Sequence, residues 1–161
     1  MKKNKISKNW LIKQNKDQFF RQSKIYGYRS RSAFKLLEMN QKFKFLNNNT
    51  CLLDLGSSPG GWTQVAAKKI TKGKILAVDI RPMERVNNVN FLKGDLFDSE
   101  IYEKICAYFD KKIDVVISDM AVNTSGNKNL DSYKTGELCL RGMYLAQKIL
   151  HKDGVFLSKL F

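Results

Sequence analysis

The run Cys51-Leu52-Leu53-Asp54-Leu55, followed at once by Gly56-Ser57-Ser58-Pro59-Gly60-Gly61-Trp62, constrains this chain more than any other feature. A short apolar run bounded by turn residues reads as a strand buried on both faces, the usual situation in a parallel sheet. Parallel strands need long return connections, usually helices. The glycines after the strand permit a tight turn and close approach of a ligand to the backbone. A helix starting behind them offers amide groups that have no partner within the helix.

The rest of the chain repeats this plan. A helix is expected over residues 62–70, ended by Lys72-Gly73, and a second strand is Ile75-Leu76-Ala77-Val78-Asp79. A weaker third strand, Val89-Asn90-Phe91-Leu92, precedes a helix over 99–108 and a fourth strand over 113–118. A polar loop over 119–129 leads to a helix over 133–150, a turn at Lys152-Asp153-Gly154 and a fifth strand over 155–161. Strands alternating with helices predict an α/β, Rossmann-like fold: a mostly parallel sheet with helices on both faces. Such sheets bind ligands beyond the carboxyl ends of their strands, near the switch in strand order.

Three cofactor loops compete for the glycine segment. A phosphate cradle would place Lys and then Ser or Thr after its last glycine, where this chain has Trp62-Thr63. A dinucleotide loop would read GxGxxG, but Ser58 holds the second glycine position. A cofactor without phosphates, carrying a carboxylate and an ammonium, suits the loop better. Asp79 ends the second strand, where it can accept from ribose hydroxyls. Asp95 follows the third and can accept from an adenine amino group, and Asp119 ends the fourth. With Asp54 they form a series of four acids expected at successive strand ends. Each alone reads as an ordinary turn residue.

Charge points to the partner. The net charge is +14, and ten Lys and Arg among residues 1–31 face the single acid Asp17. A polyanion is the expected partner, set against a lysine-rich bias with a solvated tail. Residues 1–31 are expected to be a basic RNA-binding arm, with two aromatics and two arginines interleaved in Tyr26-Gly27-Tyr28-Arg29-Ser30-Arg31-Ser32, and 32–161 the α/β domain. Ser30 or Ser32 is expected to cap a helix striped by Phe34, Leu37 and Phe43. Cys51, Cys106 and Cys139 lack metal-ligand spacing and read as buried, reduced thiols, so no metal site is expected. No apolar run approaches the ~20 residues of a membrane span, and the basic start lacks a secretory pattern. A cytoplasmic monomer is expected.

Four segments resemble the FtsJ-like (RrmJ-like, RlmE-type) family of ribosomal RNA ribose 2′-O-methyltransferases. They are Arg29-Ser30-Arg31-Ser32-Ala33-Phe34-Lys35-Leu36, the loop from Asp54 to Trp62, Ser118-Asp119-Met120-Ala121-Val122-Asn123, and Ser158-Lys159-Leu160-Phe161. The resemblance implies an S-adenosylmethionine (SAM)-dependent methyltransferase fold and cofactor contacts from Gly60, Trp62, Asp79, Asp95 and Asp119. It implies a catalytic group of Lys35, Asp119, Lys159 and a glutamate nearer the family's carboxyl terminus. The implied substrate is a ribose, expected to be a uridine's, in the RNA of a largely assembled large ribosomal subunit.

The chemistry calls for such a group. A ribose hydroxyl is a poor nucleophile and must be aligned and relieved of its proton. A lysine can accept a proton only when neutral, which burial or a second ammonium promotes. Lys159 sits in an otherwise apolar run and is the expected base, with Lys35 and Asp119 tuning and orienting it. Against this, Lys159 reads as an edge-strand lysine and Lys35 as a surface one. Two departures stand out: Val122 replaces the family's usual proline, and no counterpart of the last helix, final strand pair and glutamate follows Phe161. The fifth strand is then expected to be an apolar edge. The alternative expectation is a catalytically silent factor that binds SAM and RNA in ribosome assembly.

Overall fold

Alternation along the strands builds the core. In β1 (Leu52–Leu55), Leu53 and Leu55 face one side of the sheet and Leu52 the other, and all are buried. A computed structural model of the chain describes residues 17–122 and 125–160. β1 lies between β2 (Ile75–Asp79) and β4 (Ile113–Ser118), with β3 (Asn90–Lys93) and β5 (Leu150–Ser158) at the edges. The order is β3-β2-β1-β4-β5, and every pairing is parallel. The strand order reverses between β1 and β4, whose ends pair as Leu55 with Ser118.

Among the described residues, five helices flank the sheet: α1 (Gln18–Ile25), α2 (Ser32–Phe43), α3 (Gly61–Lys69), α4 (Ser99–Tyr108) and α5 (Lys128–Ile149). One face packs Leu53, Leu55, Leu76 and Val78 against Ile101 and Ile105 of α4 and Leu145, Ala146 and Ile149 of α5. The other packs Leu52, Ile75, Val115 and Ile117 against Ala33 and Leu36 of α2 and Trp62, Val65 and Ala66 of α3. Each fully buried Leu or Ile contributes roughly 1.5–3 kcal/mol of transfer free energy. This is the Rossmann-like α/β architecture expected from the alternation.

Several local expectations are corrected. α5 begins at Lys128, capped by the Asn127 side chain, five residues before the sequence suggested. β5 begins at Leu150 and runs through Lys152-Asp153-Gly154, with a register irregularity opposite Ile113 and Val115 absorbing the expected turn. Neither Ser30 nor Ser32 caps α2; their hydroxyls bond each other at 2.7 Å and Arg31 takes the cap position. The buried face of α2 is Ala33 and Leu36, because α3 packs there, while Phe43 is exposed. Phe34 instead joins Phe19, Tyr26 and Tyr28 in an aromatic cluster, its ring 5.7 Å from that of Tyr28.

The three cysteines are free and half-buried rather than buried. Asp17, the lone acid of the basic segment, caps α1 and pairs with Arg31. The remainder of the basic arm, residues 1–16, lies outside the described residues, as do Asn123 and Phe161 of the family-like segments. Among the described residues, no helix is long and apolar enough to cross a membrane.

Candidate functional site

The carboxyl ends of the strands open into a cavity of about 660 Å³. Leu55 and Gly56 reach it from β1, Val78 and Asp79 from β2, Gly94 and Asp95 from the end of β3, Asp119 and Met120 from β4, and Lys159 from the end of β5. It therefore straddles the reversal in strand order, where open α/β sheets bind their ligands. Gly56 makes the crossing possible. Its φ is +71°, and a Cβ there would stand 2.8 Å from the Met120 Cα, so the loops after β1 and β4 touch backbone to backbone.

On the β2–β3 side the acids accept from main-chain amides. Asp79, almost fully buried, takes the Ser58 N–H on Oδ2 and the Arg81 N–H on Oδ1, both at 2.8 Å, with Arg81 Nε 3.9 Å away. This fastens the glycine loop to the end of β2 and leaves lone pairs for further donors. Asp95 is exposed and accepts the Phe97 N–H at 3.0 Å. Ile80, Leu96 and Phe97 add an apolar wall beside these carboxylates.

On the β4–β5 side an acid faces a base. The Lys159 ammonium is ion-paired with Asp119 Oδ1, and its Nζ lies 3.4 Å from the Asp119 carbonyl. Both side chains are partly buried, 34% and 19% exposed. Lys159 N–H donates to the Ser118 carbonyl at 3.0 Å, which carries the strand pairing one residue past β5 and aims this lysine into the cavity. Lys134 of α5, exposed, stands on the same rim.

The other predicted residues lie outside the cavity lining. Gly60 holds the cap position of α3 at φ +111°, and Trp62 in the first turn is buried, its indole N–H donating to the Ser32 carbonyl at 2.8 Å. Both therefore shape the amino end of α3 rather than the cavity wall. Lys35 is 67% exposed on α2 and pairs with Glu38 at 3.6 Å.

Asp54 corrects the expected series of four rim acids. It points to the opposite side of β1, fully buried under α3, where Oδ2 accepts the Thr63 hydroxyl at 2.6 Å. Burial pushes its carboxyl from 3.8 up to about 7; the Thr63 bond opposes this, while Asp119 and Asp79 add to it. Asp54 Oδ1 and Ser57 Oγ are buried without a protein partner among the described residues.

Sequence reasoning missed Ile80, Phe97, Met120 and Lys134 as cavity residues. Ile80 and Met120 follow directly on Asp79 and Asp119 and Phe97 stands two residues after Asp95, so their placement was readable one or two steps further along the chain. Lys134 comes from the second turn of a long helix and carries no local signal.

The FtsJ-like methyltransferase family matches residues 28–161 of this chain. A protein of Pelagibacter ubique named Ribosomal RNA large subunit methyltransferase E is 48% identical over 161 residues, covering 100% of this chain and 79% of the relative. The Rickettsia akari protein of the same name is 41% identical, with 96% and 71% covered. A Plasmodium falciparum crystal structure assigned as a ribosomal RNA methyltransferase superposes with a TM-score of 0.76 at 32% identity, covering 83% of this chain and 79% of that one.

Proposed function

This chain belongs to the FtsJ-like methyltransferase family, and from that premise we propose that it methylates a ribose 2′-hydroxyl, a uridine's, in large-subunit ribosomal RNA. S-adenosylmethionine is its methyl donor, and assembled large subunits in the cytoplasm are its substrate. The observation that carries the reading is the cavity itself, with two amide-anchored carboxylates on one side and the Asp119–Lys159 pair on the other.

The residues present fit such a cofactor. Asp79 retains lone pairs for ribose hydroxyls, Asp95 for an adenine amino group, and the apolar side chains of Ile80, Leu96 and Phe97 suit a flat base. Gly60 and Trp62, outside the cavity lining, act on the cofactor through the amino end of α3 that they shape. When bound, the cofactor supplies a methyl group already activated by its sulfonium.

The chain's own residues then have to align the hydroxyl and take its proton. Lys159 Nζ, in its neutral form, accepts that proton, and Asp119 fixes the direction of the amine and afterwards stabilises the ammonium. Lys35, exposed outside the cavity lining and paired with Glu38, is suited to meeting the RNA rather than to tuning Lys159 directly. The net charge of +14 and the basic segment 1–31 provide the attraction to the phosphate backbone.

The test is transfer of a tritiated methyl group from S-adenosylmethionine to undermethylated large ribosomal subunits. Stoichiometric incorporation into the RNA is expected. Binding of both cofactor and RNA without transfer would support the silent assembly factor instead.

A further inference from the structure

Two arginines of the segment 27–32 are candidates to meet RNA, yet the structure treats them differently. Arg31 is 65% exposed and, among the described residues, its side chain pairs with Asp17. Arg29 is 20% exposed, and its guanidinium is committed to main-chain carbonyls. Nη1 donates to Pro59 at 3.3 Å and Glu84 at 2.8 Å, and Nη2 donates to Arg85 at 2.9 Å. Pro59 lies in the glycine loop, while Glu84 and Arg85 lie in the connection between β2 and β3. One side chain thus joins the two loops that bring Ser58, and Ile80 with Arg81, into the cavity lining.

The surroundings are built for that side chain. Gly60 lies directly against it: a Cβ there would stand 2.7 Å from Arg29 Nη1. The main chain of Arg29 is fixed as well, its N–H donating to Gln64 Oε1 at 2.8 Å, while Gln64 Nε2 donates to the Gly27 carbonyl at 3.1 Å. Turning the guanidinium towards a phosphate would break its bonds to three carbonyls at once and untie the two loops. The Glu84 carboxylate, 3.8 Å away and 90% exposed, adds little to the arrangement.

We propose that Arg29 is a positioning residue for the cofactor, a clamp that sets the spacing of the glycine loop and the β2–β3 connection, and not an RNA contact. The inference rests on the reading of the cavity as a SAM site. It depends on the planar fork of arginine, since a lysine offers a point charge that cannot bridge carbonyls on two loops in this way.

The test compares the full chain with Arg29→Ala and Arg29→Lys. Affinity for S-adenosylhomocysteine is measured by calorimetry, and affinity for a large-subunit rRNA transcript by filter binding over a series of salt concentrations. Both variants are expected to bind S-adenosylhomocysteine about tenfold more weakly or worse, with RNA affinity and its salt slope unchanged. Arg29→Lys keeps the charge and the aliphatic stem, so it carries the test should Arg29→Ala fail to fold.

Unchanged S-adenosylhomocysteine affinity in Arg29→Lys overturns the proposal. So does weaker RNA binding with a salt slope shallower by about one in Arg29→Ala, the mark of a lost phosphate contact. A parallel loss of both affinities in Arg29→Lys overturns it too, since it marks general damage. An unmodified chain that binds no S-adenosylhomocysteine removes the SAM reading itself, and the clamp with it.

Discussion

The two sides of the cavity use aspartate in opposite ways. On the β2–β3 side, Asp79 and Asp95 accept backbone N–H groups and keep acceptor capacity for uncharged donors such as hydroxyl and amino groups. On the β4–β5 side, Asp119 is matched to the Lys159 ammonium. Carboxylates held by main-chain amides are rigid and suited to recognition. A carboxylate paired with an ammonium fixes where that side chain points at the rim of the cavity. If the proposed roles hold, recognition and proton transfer lie on opposite sides of the switch in strand order, and substitutions on the two sides should separate them in kinetics.

The largest effect is expected from Lys159→Ala, which should lower kcat roughly 10²–10⁴-fold, the usual worth of a positioned acid or base. Affinity for S-adenosylhomocysteine should stay within a few-fold. Calorimetry and single-turnover methyl transfer on the same variant check both halves. A Lys159→Ala variant with normal turnover breaks the comparison on its chemical side.

Asp79→Asn comes next. One carboxylate oxygen becomes an NH2 facing the Ser58 or the Arg81 N–H, so a charge-assisted bond gives way to two opposed donors. At about 1.5–3 kcal/mol for such a bond, S-adenosylhomocysteine should bind roughly tenfold to a hundredfold more weakly. Turnover at saturating cofactor should change far less. A fall in kcat at unchanged cofactor affinity would mean that both sides take part in the chemistry.

Asp54 sharpens the contrast from below the sheet, as an acid that belongs to neither side. Its carboxyl sits at about 7 in the folded chain against 3.8 when unperturbed, so between these values the native state holds a proton that the unfolded chain has released. Unfolding free energy from this group therefore falls as pH rises from about 4 to about 7, by up to ~1.4 kcal/mol per pH unit. Asp54→Asn should flatten that slope in denaturant melts taken at several pH values. A slope that persists would assign it to another group.

The smallest effect is expected from Trp62→Phe, which keeps most of the buried ring and loses the indole N–H bond to Ser32. A stability loss of about 1 kcal/mol by denaturant melt fits a single hydrogen bond. A much larger loss of cofactor affinity would show that the amino end of α3 depends on this bond to hold its shape.

These contrasts were only partly legible in the sequence. β1, β2 and β4 could be read because their runs are mostly apolar and short, each broken or ended by an acid or a serine and bounded by turn residues. The start of β5 could not, because Lys152-Asp153-Gly154 has the composition of a turn, and it bulges out between the pairs Ile113–Leu150 and Val115–Val155 while the strand resumes on either side. Asp54 was misplaced at the rim although it lies inside the apolar run, one residue before β1 ends at Leu55. In a strand, that single residue decides which face a side chain takes. Asp79, Asp95, Asp119 and Lys159 all reach the cavity because strand ends are fixed by the sheet. Arg29 was grouped with the RNA-seeking cations because composition cannot distinguish an arginine that meets phosphate from one that meets carbonyls.

The central claim is that the proton-transfer side serves a ribose hydroxyl of ribosomal RNA. Large subunits are incubated with the chain and isotopically labelled S-adenosylmethionine, the RNA is digested to nucleosides, and the label is located by mass spectrometry. The account predicts a single labelled species, 2′-O-methyluridine, absent when Lys159→Ala replaces the unmodified chain. Label on a base, or none despite bound cofactor and RNA, would contradict it.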